Sequence, residues 1–142
     1  MTCCAGMSFC QMSKVIKDSL VNFDVAQKMC ESIEAEMVSV HSADENQFVI
    51  TTAVRDLKPF MWIHERELIF WLGASSPYKN DTFIWQDGST SSFDAWLPGQ
   101  PNDANGKQSC AELGSDHMNW NGWAAVDCNA ERYIICKKAA IE

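Results

Sequence analysis

The sequence predicts an α+β domain, with two helices packed on antiparallel sheets, and three observations carry that expectation. The first half has two stretches with apolar residues at helical spacing. The second half has short aromatic or β-branched runs separated by Gly, Asp, Asn and Pro. Between those runs lies a long stretch with neither period, Phe93 to Cys128, which holds three Trp, two Cys, four Asp and a Gln-Pro-Asn triplet. A segment of that length inside a compact domain is functional or disordered. Its Trp and Cys content points to an ordered loop that the rest of the chain presents.

In chain order, residues Phe9 to Val21 (FCQMSKVIKDSLV) show no clean period and read as a short strand and a turn. Asn22 can cap a helix whose buried stripe is Phe23, Ala26, Cys30, Ile33 and Met37, carrying Cys30 inward. MVSVHS, residues 37 to 42, is strand-like. Ser42-Ala43-Asp44-Glu45 is a capping box, in which the Ser hydroxyl accepts from the Glu45 amide while the Glu45 carboxylate reaches back. The helix it opens buries Val49, Ala53 and Leu57, with Ile50 and Val54 beside them, and is predicted to stop at Pro59.

Residues 60 to 70, FMWIHERELIF, fit helix or strand equally. His64-Glu65 resembles the start of a zinc-peptidase motif, but Leu68 stands where the second His would be needed, so that reading is rejected. FWLGAS, FIWQDGS and YIICKK then read as strands joined by turns.

Length and hydropathy predict one domain over residues 1–142, with enough Trp and Phe to build a core. A net charge of -8 leaves no basic stripe for phosphates, which argues against nucleic acid or an anionic membrane as partner. There is no apolar run of membrane-spanning length. The N-terminal MTCCAGMSFC lacks the basic start and apolar core of a secretory signal, so Met1 reads as an added start before a mature chain.

The seven cysteines are Cys3, Cys4, Cys10, Cys30, Cys110, Cys128 and Cys136. They show neither the paired spacing of a structural zinc site nor a Cys-x-x-Cys redox motif. A disulfide framework, and with it a secreted, extracellular location, is the better reading than buried free thiols. The odd number leaves one cysteine free or paired between chains, and Cys3 and Cys4 compete for that role, with a disulfide-linked dimer as the consequence.

The ordered set of motifs resembles the C-type lectin-like domain nearly end to end. Phe23-x-x-Ala26-x-x-x-Cys30 is similar to its first-helix motif, and Met37 to Ser42 to the strand and cap after it. Trp71-Leu72-Gly73 resembles its Trp-Ile-Gly core segment. Trp85-x-Asp87-Gly88 and Trp96-x-Pro98-Gly99-Gln100-Pro101-Asn102 resemble the approach to its ligand loop, and Cys110, Cys128 and Ile135-Cys136 follow in the family's order. The resemblance implies disulfides Cys30–Cys136 and Cys110–Cys128, with Cys10 pairing to Cys4 or Cys3. The first would close a loop of about a hundred residues and contribute roughly 4 to 5 kcal/mol against the unfolded chain.

Sugar-binding members of that family hold calcium and coordinate sugar hydroxyls through it, and calcium favours ionised oxygen ligands. This chain departs from the pattern. The triplet is Gln100-Pro101-Asn102, a hybrid of the mannose-type and galactose-type forms, and the acidic position before the loop cysteine is Gln108. The Trp-Asn-Asp before the next cysteine aligns with Trp123-Ala124-Ala125. Acidic positions of the auxiliary site fall on Ser76 and Asn80, leaving Asp103.

The expected site is therefore Gln100, Asn102, Asp103, Gln108, Trp120 and Asn121, with calcium not expected to bind tightly. An inserted residue would bring Trp120-Asn121-Gly122 into register instead and restore the Asn. Asp103, Asp116 or Asp127 would then be the carboxylates left to complete an ion site.

Trp71, Trp85 and Trp96 read as core and Trp123 as mostly buried, whereas Trp120 sits in a polar stretch and is free to stack on a sugar or anchor a protein. His41 reads as structural and His117 as solvent-exposed. Three classes of function follow. The first is a non-enzymatic recognition module that binds a protein or glycan without tightly held calcium. The second is a calcium-dependent lectin using the Gln-Pro-Asn loop. Mineral or ice binding, known among relatives of the fold, is a further alternative to both. An enzyme is the third class and ranks lowest, because no nucleophile, base and orienting acid can be assembled.

Overall fold

The computed structural model describes residues 11–64, 69–78, 82–102, 106–114 and 122–139, and for 11–19, 54–64 and 139 it describes the backbone alone. Strand β1 (Gln11–Val21) is followed by helix α1 (Phe23–Ser32), strand β2 (Glu36–Met37), helix α2 (Ala43–His64) and strands β3 (Ile69–Ser75), β4 (Ile84–Trp85), β5 (Cys110–Gly114), β6 (Trp123–Val126) and β7 (Arg132–Ala139). The sheet runs β1-β7-β3-β5-β6, with β2 added to β7 and β4 to β3. Pairings are antiparallel except β3 with β7, which meet in parallel at Phe70 and Tyr133, so the sheet is mixed. The α+β expectation holds, with that one parallel pairing added to it.

Helix α1 begins as its sequence predicts: Asn22 Oδ1 accepts from the Val25 amide at 2.9 Å, and Phe23, Ala26 and Cys30 are buried. It does not reach Met37. Glu34 turns into the left-handed region at φ 59°. The amides of Ala35 and Glu34 fold back onto the carbonyls of Cys30 and Glu31, both at 2.9 Å. This is a Schellman closure with Glu where Gly is usual. Met37 emerges in β2 opposite Cys136, facing the same core as the helix stripe, which is why a helical period ran through it. The expected strand over 37 to 42 is likewise shorter, since only Glu36–Met37 pairs as strand. Val38 continues extended, its amide bonded to Ile135 O at 3.1 Å.

Two further expectations change. The short strand and turn over 9 to 21 is one strand across its described part, β1, held along β7 with one irregularity between Ile16 and Val21. Phe9 and Cys10 lie outside the described residues. Helix α2 runs through Pro59 to His64 rather than stopping there. A proline costs one hydrogen bond and a clash with the preceding turn, and the Leu57-Lys58 and Phe60-Met61 pairs around it are tolerant of helix. Residues 60 to 64 of the ambiguous segment are therefore helical and 69 to 70 strand. Of the predicted buried face, Val49, Ile50 and Ala53 are buried; the side chains of Val54 and Leu57 lie outside the described ones.

Alternate residues of β3 and β7 feed two cores, because successive side chains of a strand face opposite ways. Phe70, Leu72, Tyr133 and Ile135 join Val49, Ile50 and Ala53 of α2, together with Val38, Val40, Leu113 and Trp123. Trp71, Ile134 and Cys136 join Phe23, Ala26 and Cys30 of α1, and the Cys30–Cys136 disulfide lies inside that second core. Trp71 Nε1 donates to Val21 O at 2.7 Å, and Phe23 meets its ring edge-on at 5.5 Å. Gly73 lets the 37–38 segment cross: its amide donates to Val38 O at 2.8 Å, and a Cβ there would lie 2.7 Å from Met37 O.

Candidate functional site: the 93–128 loop

The loop is not free of strands, as its lack of periodicity suggested. β5 and β6 lie within it and pair from Cys110↔Val126 to Leu113↔Trp123. CAELG carries Ala, Glu and Gly, which are depleted in strands, and WAAV is short with two Ala, so neither stands out by strand preference. Their pairing comes from tertiary placement, with every residue of β5 buried and the Cys110–Cys128 disulfide closing the end of the ladder.

Trp123 organises the loop. It is 3% exposed, its Nε1 donates to Asn46 Oδ1 of α2 at 2.9 Å, and Trp85, Phe93 and Trp96 surround it edge-on at centroid distances of 5.5, 5.8 and 5.6 Å. Edge-to-face aromatic pairs of this kind contribute about 0.5–1.5 kcal/mol each beyond burial. Backbone bonds from Leu97 N to Trp123 O and from Trp123 N to Ala95 O, both 2.9 Å, clip the loop's ascending arm onto β6. Gly122 is required by that approach, since a Cβ would fall 2.0 Å from Leu97 Cδ2.

Leu97-Pro98-Gly99-Gln100 then turns back, with Gln100 N bonded to Leu97 O at 2.9 Å and Gly99 at φ 83°. Pro followed by a positive-φ Gly is the type II turn signature. The Gln100–Pro101 peptide is cis. The half-buried Gln100 does not point out to solvent with its oxygen. Gln100 Oε1 accepts from the Ala125 amide of β6 at 3.0 Å.

Asn102 is exposed and Gln108 half-buried, while Asp103, Trp120 and Asn121 lie outside the described residues, as do Asp116, His117 and Asn80. The structure therefore places Gln100, Asn102 and Gln108 of the expected six. Trp71 and Trp123 are core as expected; Trp85 and Trp96 are half-buried and pack against it. Ala124 and Ala125 sit on β6 and contribute only methyl groups. Among the described residues no three of His, Cys, Asp and Glu come together as metal ligands. The amides of Gln100, Asn102 and Gln108 alone are a poor match for calcium, whose affinity grows with the number of carboxylates.

Behind the loop is a polar cluster the motifs did not reveal. Ser42 Oγ accepts from the Glu45 amide at 3.0 Å, as the capping box requires, but the Glu45 carboxylate reaches one residue further back, to the His41 amide at 2.8 Å. Its other oxygen takes Lys137 Nζ at 2.9 Å in a buried ion pair. Asp87 binds Ser39 and Ser89, and Ser89 touches His41. Burial alone would push the Asp87 carboxyl up; hydrogen bonds from the Ser89 and Ser39 hydroxyls and the Ser89 amide, with the Lys137 charge, hold it below its ordinary value. Burial and the Lys137 charge lower His41, against the pull of Glu45 and Asp87. Trp85-x-Asp87-Gly88 stood out in the sequence as resembling the approach to the ligand loop, but nothing there linked it to Lys137.

Comparison with known proteins agrees with this geometry. The family model for the lectin C-type domain matches residues 19–138. Perlucin of Haliotis laevigata is 29% identical over 132 residues, covering 93% of this chain and 77% of the relative. The C-type lectin lectoxin-Lio1 of Erythrolamprus poecilogyrus is 31% identical over 128 residues, covering 87% and 71%. Among solved structures, a calcium-independent type II antifreeze protein superposes with TM-score 0.73 at 23% identity, covering 98% of this chain and 95% of the other.

Proposed function

We propose, from the premise that this chain belongs to the lectin C-type domain family, that it is a non-enzymatic extracellular recognition module whose 93–128 loop binds a protein or glycan without tightly held calcium. The observation that carries this reading is the Gln100 side chain, whose oxygen is spent on the Ala125 amide at 3.0 Å. The loop is held in shape by that bond, by the backbone clips to Trp123 and by the Cys110–Cys128 disulfide, so the protein itself supplies the preorganisation that lowers the cost of binding. Ligand contact falls to the exposed Asn102 and, in the same loop, to Asp103, Gln108, Trp120 and Asn121.

Extracellular location is supported by the two disulfides among the described residues, since such bonds persist in oxidising compartments. Among the described residues no helix is long and apolar enough to cross a membrane. Exposure of Asn102 within an intact Gln-Pro-Asn triplet favours a second reading, a calcium-dependent glycan lectin.

Binding of the oxidised protein to a glycan array and to an extracellular protein panel, each with and without a chelator, separates the two. The first reading expects binding that a chelator leaves unchanged. Binding abolished by the chelator and restored by calcium would establish the second in its place.

A further inference from the structure

We propose that His41 is an acid-sensitive catch: the neutral ring holds the Gln86–Ser91 turn closed through Ser89, and protonation of its second nitrogen releases that turn and loosens the loop beginning at Phe93. A chain of hydrogen bonds whose directions are forced leads to this. Lys137 Nζ donates to Ser39 O at 2.8 Å, to Ser39 Oγ at 2.9 Å and to Glu45 Oε2 at 2.9 Å, which uses all three ammonium protons. Ser39 Oγ, having accepted from Lys137, gives its own proton to Asp87 Oδ2 at 2.7 Å. From the other side, Asp87 Oδ1 accepts from the Ser89 amide at 2.9 Å and from Ser89 Oγ.

Ser89 thus spends its one hydroxyl proton on Asp87. The 2.8 Å contact between Ser89 Oγ and His41 Nε2 then requires Nε2 to be the donor. That assigns the neutral tautomer: the proton is on Nε2 and the lone pair on Nδ1. Nδ1 is buried and has no hydrogen-bond partner among the described residues.

A proton gained on acidification goes to Nδ1 and creates a buried, charged N–H with no acceptor among the described residues. The ring satisfies it by swinging towards water, and in doing so gives up the Nε2–H bond to Ser89. The charged groups that face the ring are Lys137 of β7, which opposes the added charge, and Glu45 of α2 and Asp87 of the turn after β4, which favour it. The uncharged Trp85 ring meets it edge-on at 5.4 Å. Burial and Lys137 prevail and hold the imidazole below its ordinary 6.5. With the folded value depressed, the stabilising contribution is whole above 6.5 and is lost progressively as the pH falls from there through the folded value.

The turn is the part that yields. The His41 amide is anchored to Glu45, whereas the hydrogen bonds from His41 to the turn are those to Ser89 and, at 3.5 Å, from Ser91 Oγ to His41 O. Ser91 Oγ in turn accepts from the Phe93 amide at 3.0 Å, and Phe93 and Trp85 both pack on Trp123, so the disturbance enters the loop directly.

Nitrogen NMR of the imidazole rings across a pH titration, with amide hydrogen exchange on the same samples, tests this in the native protein. Expected are the Nε2–H tautomer at neutral pH and a His41 midpoint below 6.5. Protection of the Ser89 and Phe93 amides should fall severalfold through that titration, after correction for intrinsic exchange. His41→Gln keeps a donor for Ser89 without titrating and is expected to abolish the loss. An Nδ1–H tautomer, a midpoint at or above the ordinary value, unchanged protection, or a loss that persists in His41→Gln would overturn the proposal. None of these readouts uses a ligand, so they stand or fall separately from the assignment of the loop as a binding surface.

Discussion

Lys137 sits 8% exposed in the middle of β7, and its three protons meet three acceptors, two on Ser39, 98 residues away in sequence, and one on Glu45. Removing one member of a buried ion pair strands the other charge, at about 3–5 kcal/mol. Lys137→Met is therefore expected to lower unfolding free energy in urea by that order, while Lys137→Met with Glu45→Gln recovers most of the loss. Asp87 titrates with a sign of its own. Its folded value lies below 3.8, so its contribution is present above that pH and is lost as the pH falls through the folded value. Asp87→Asn should flatten the acid limb of a melting-temperature profile and leave the range near neutrality to His41. At this scale the sequence was partly legible. Asn22 and Ser42 announce their caps because a short polar side chain before an apolar stripe has one obvious use. Gln100 read as an amide replacing a carboxylate, but its bond to the Ala125 amide depends on β6 lying alongside, which no local pattern encodes.

Helix α1 shows what an element hides. Its start is written in Asn22-Phe23, whereas its end rests on Glu34 at φ 59°, a residue with no preference for that region. Left-handed geometry costs a side chain about 1–2 kcal/mol relative to Gly. Glu34→Gly is expected to raise stability by about 1 kcal/mol, part of the gain being offset by the extra freedom of Gly in the unfolded chain; chemical denaturation checks it. The stripe Phe23, Ala26, Cys30 was legible because one buried face imposes one period. Met37 misled it because β2 returns to the same core. Strands β5 and β6 were invisible for the opposite reason: these short runs are carried into pairing by Trp123 and by the Cys110–Cys128 bond rather than by strand propensity. Pro59 was read by the average cost of proline, which helix α2 absorbs in the C-terminal third of its 22 residues.

At the scale of the fold, the two disulfides among the described residues divide the work. Cys30–Cys136 joins residues 106 apart within the core under α1, and Cys110–Cys128 closes 18 residues around β5 and β6. Replacing Cys30 and Cys136 together by Ala is expected to cost about 2–5 kcal/mol, read as a lower denaturant midpoint. The global arrangement was the most legible level, since an ordered series of Trp, Gly and Cys motifs survives even where single elements are ambiguous. The ligand is least legible because one scaffold serves many partners. What distinguishes this chain is a loop braced by its own side chains, with neutral amides at Gln100, Asn102 and Gln108. Isothermal calorimetry of calcium into the oxidised protein tests that most directly. No heat of binding up to millimolar calcium and no rise in melting temperature are expected; micromolar binding with a raised melting temperature would show that the loop holds the ion after all.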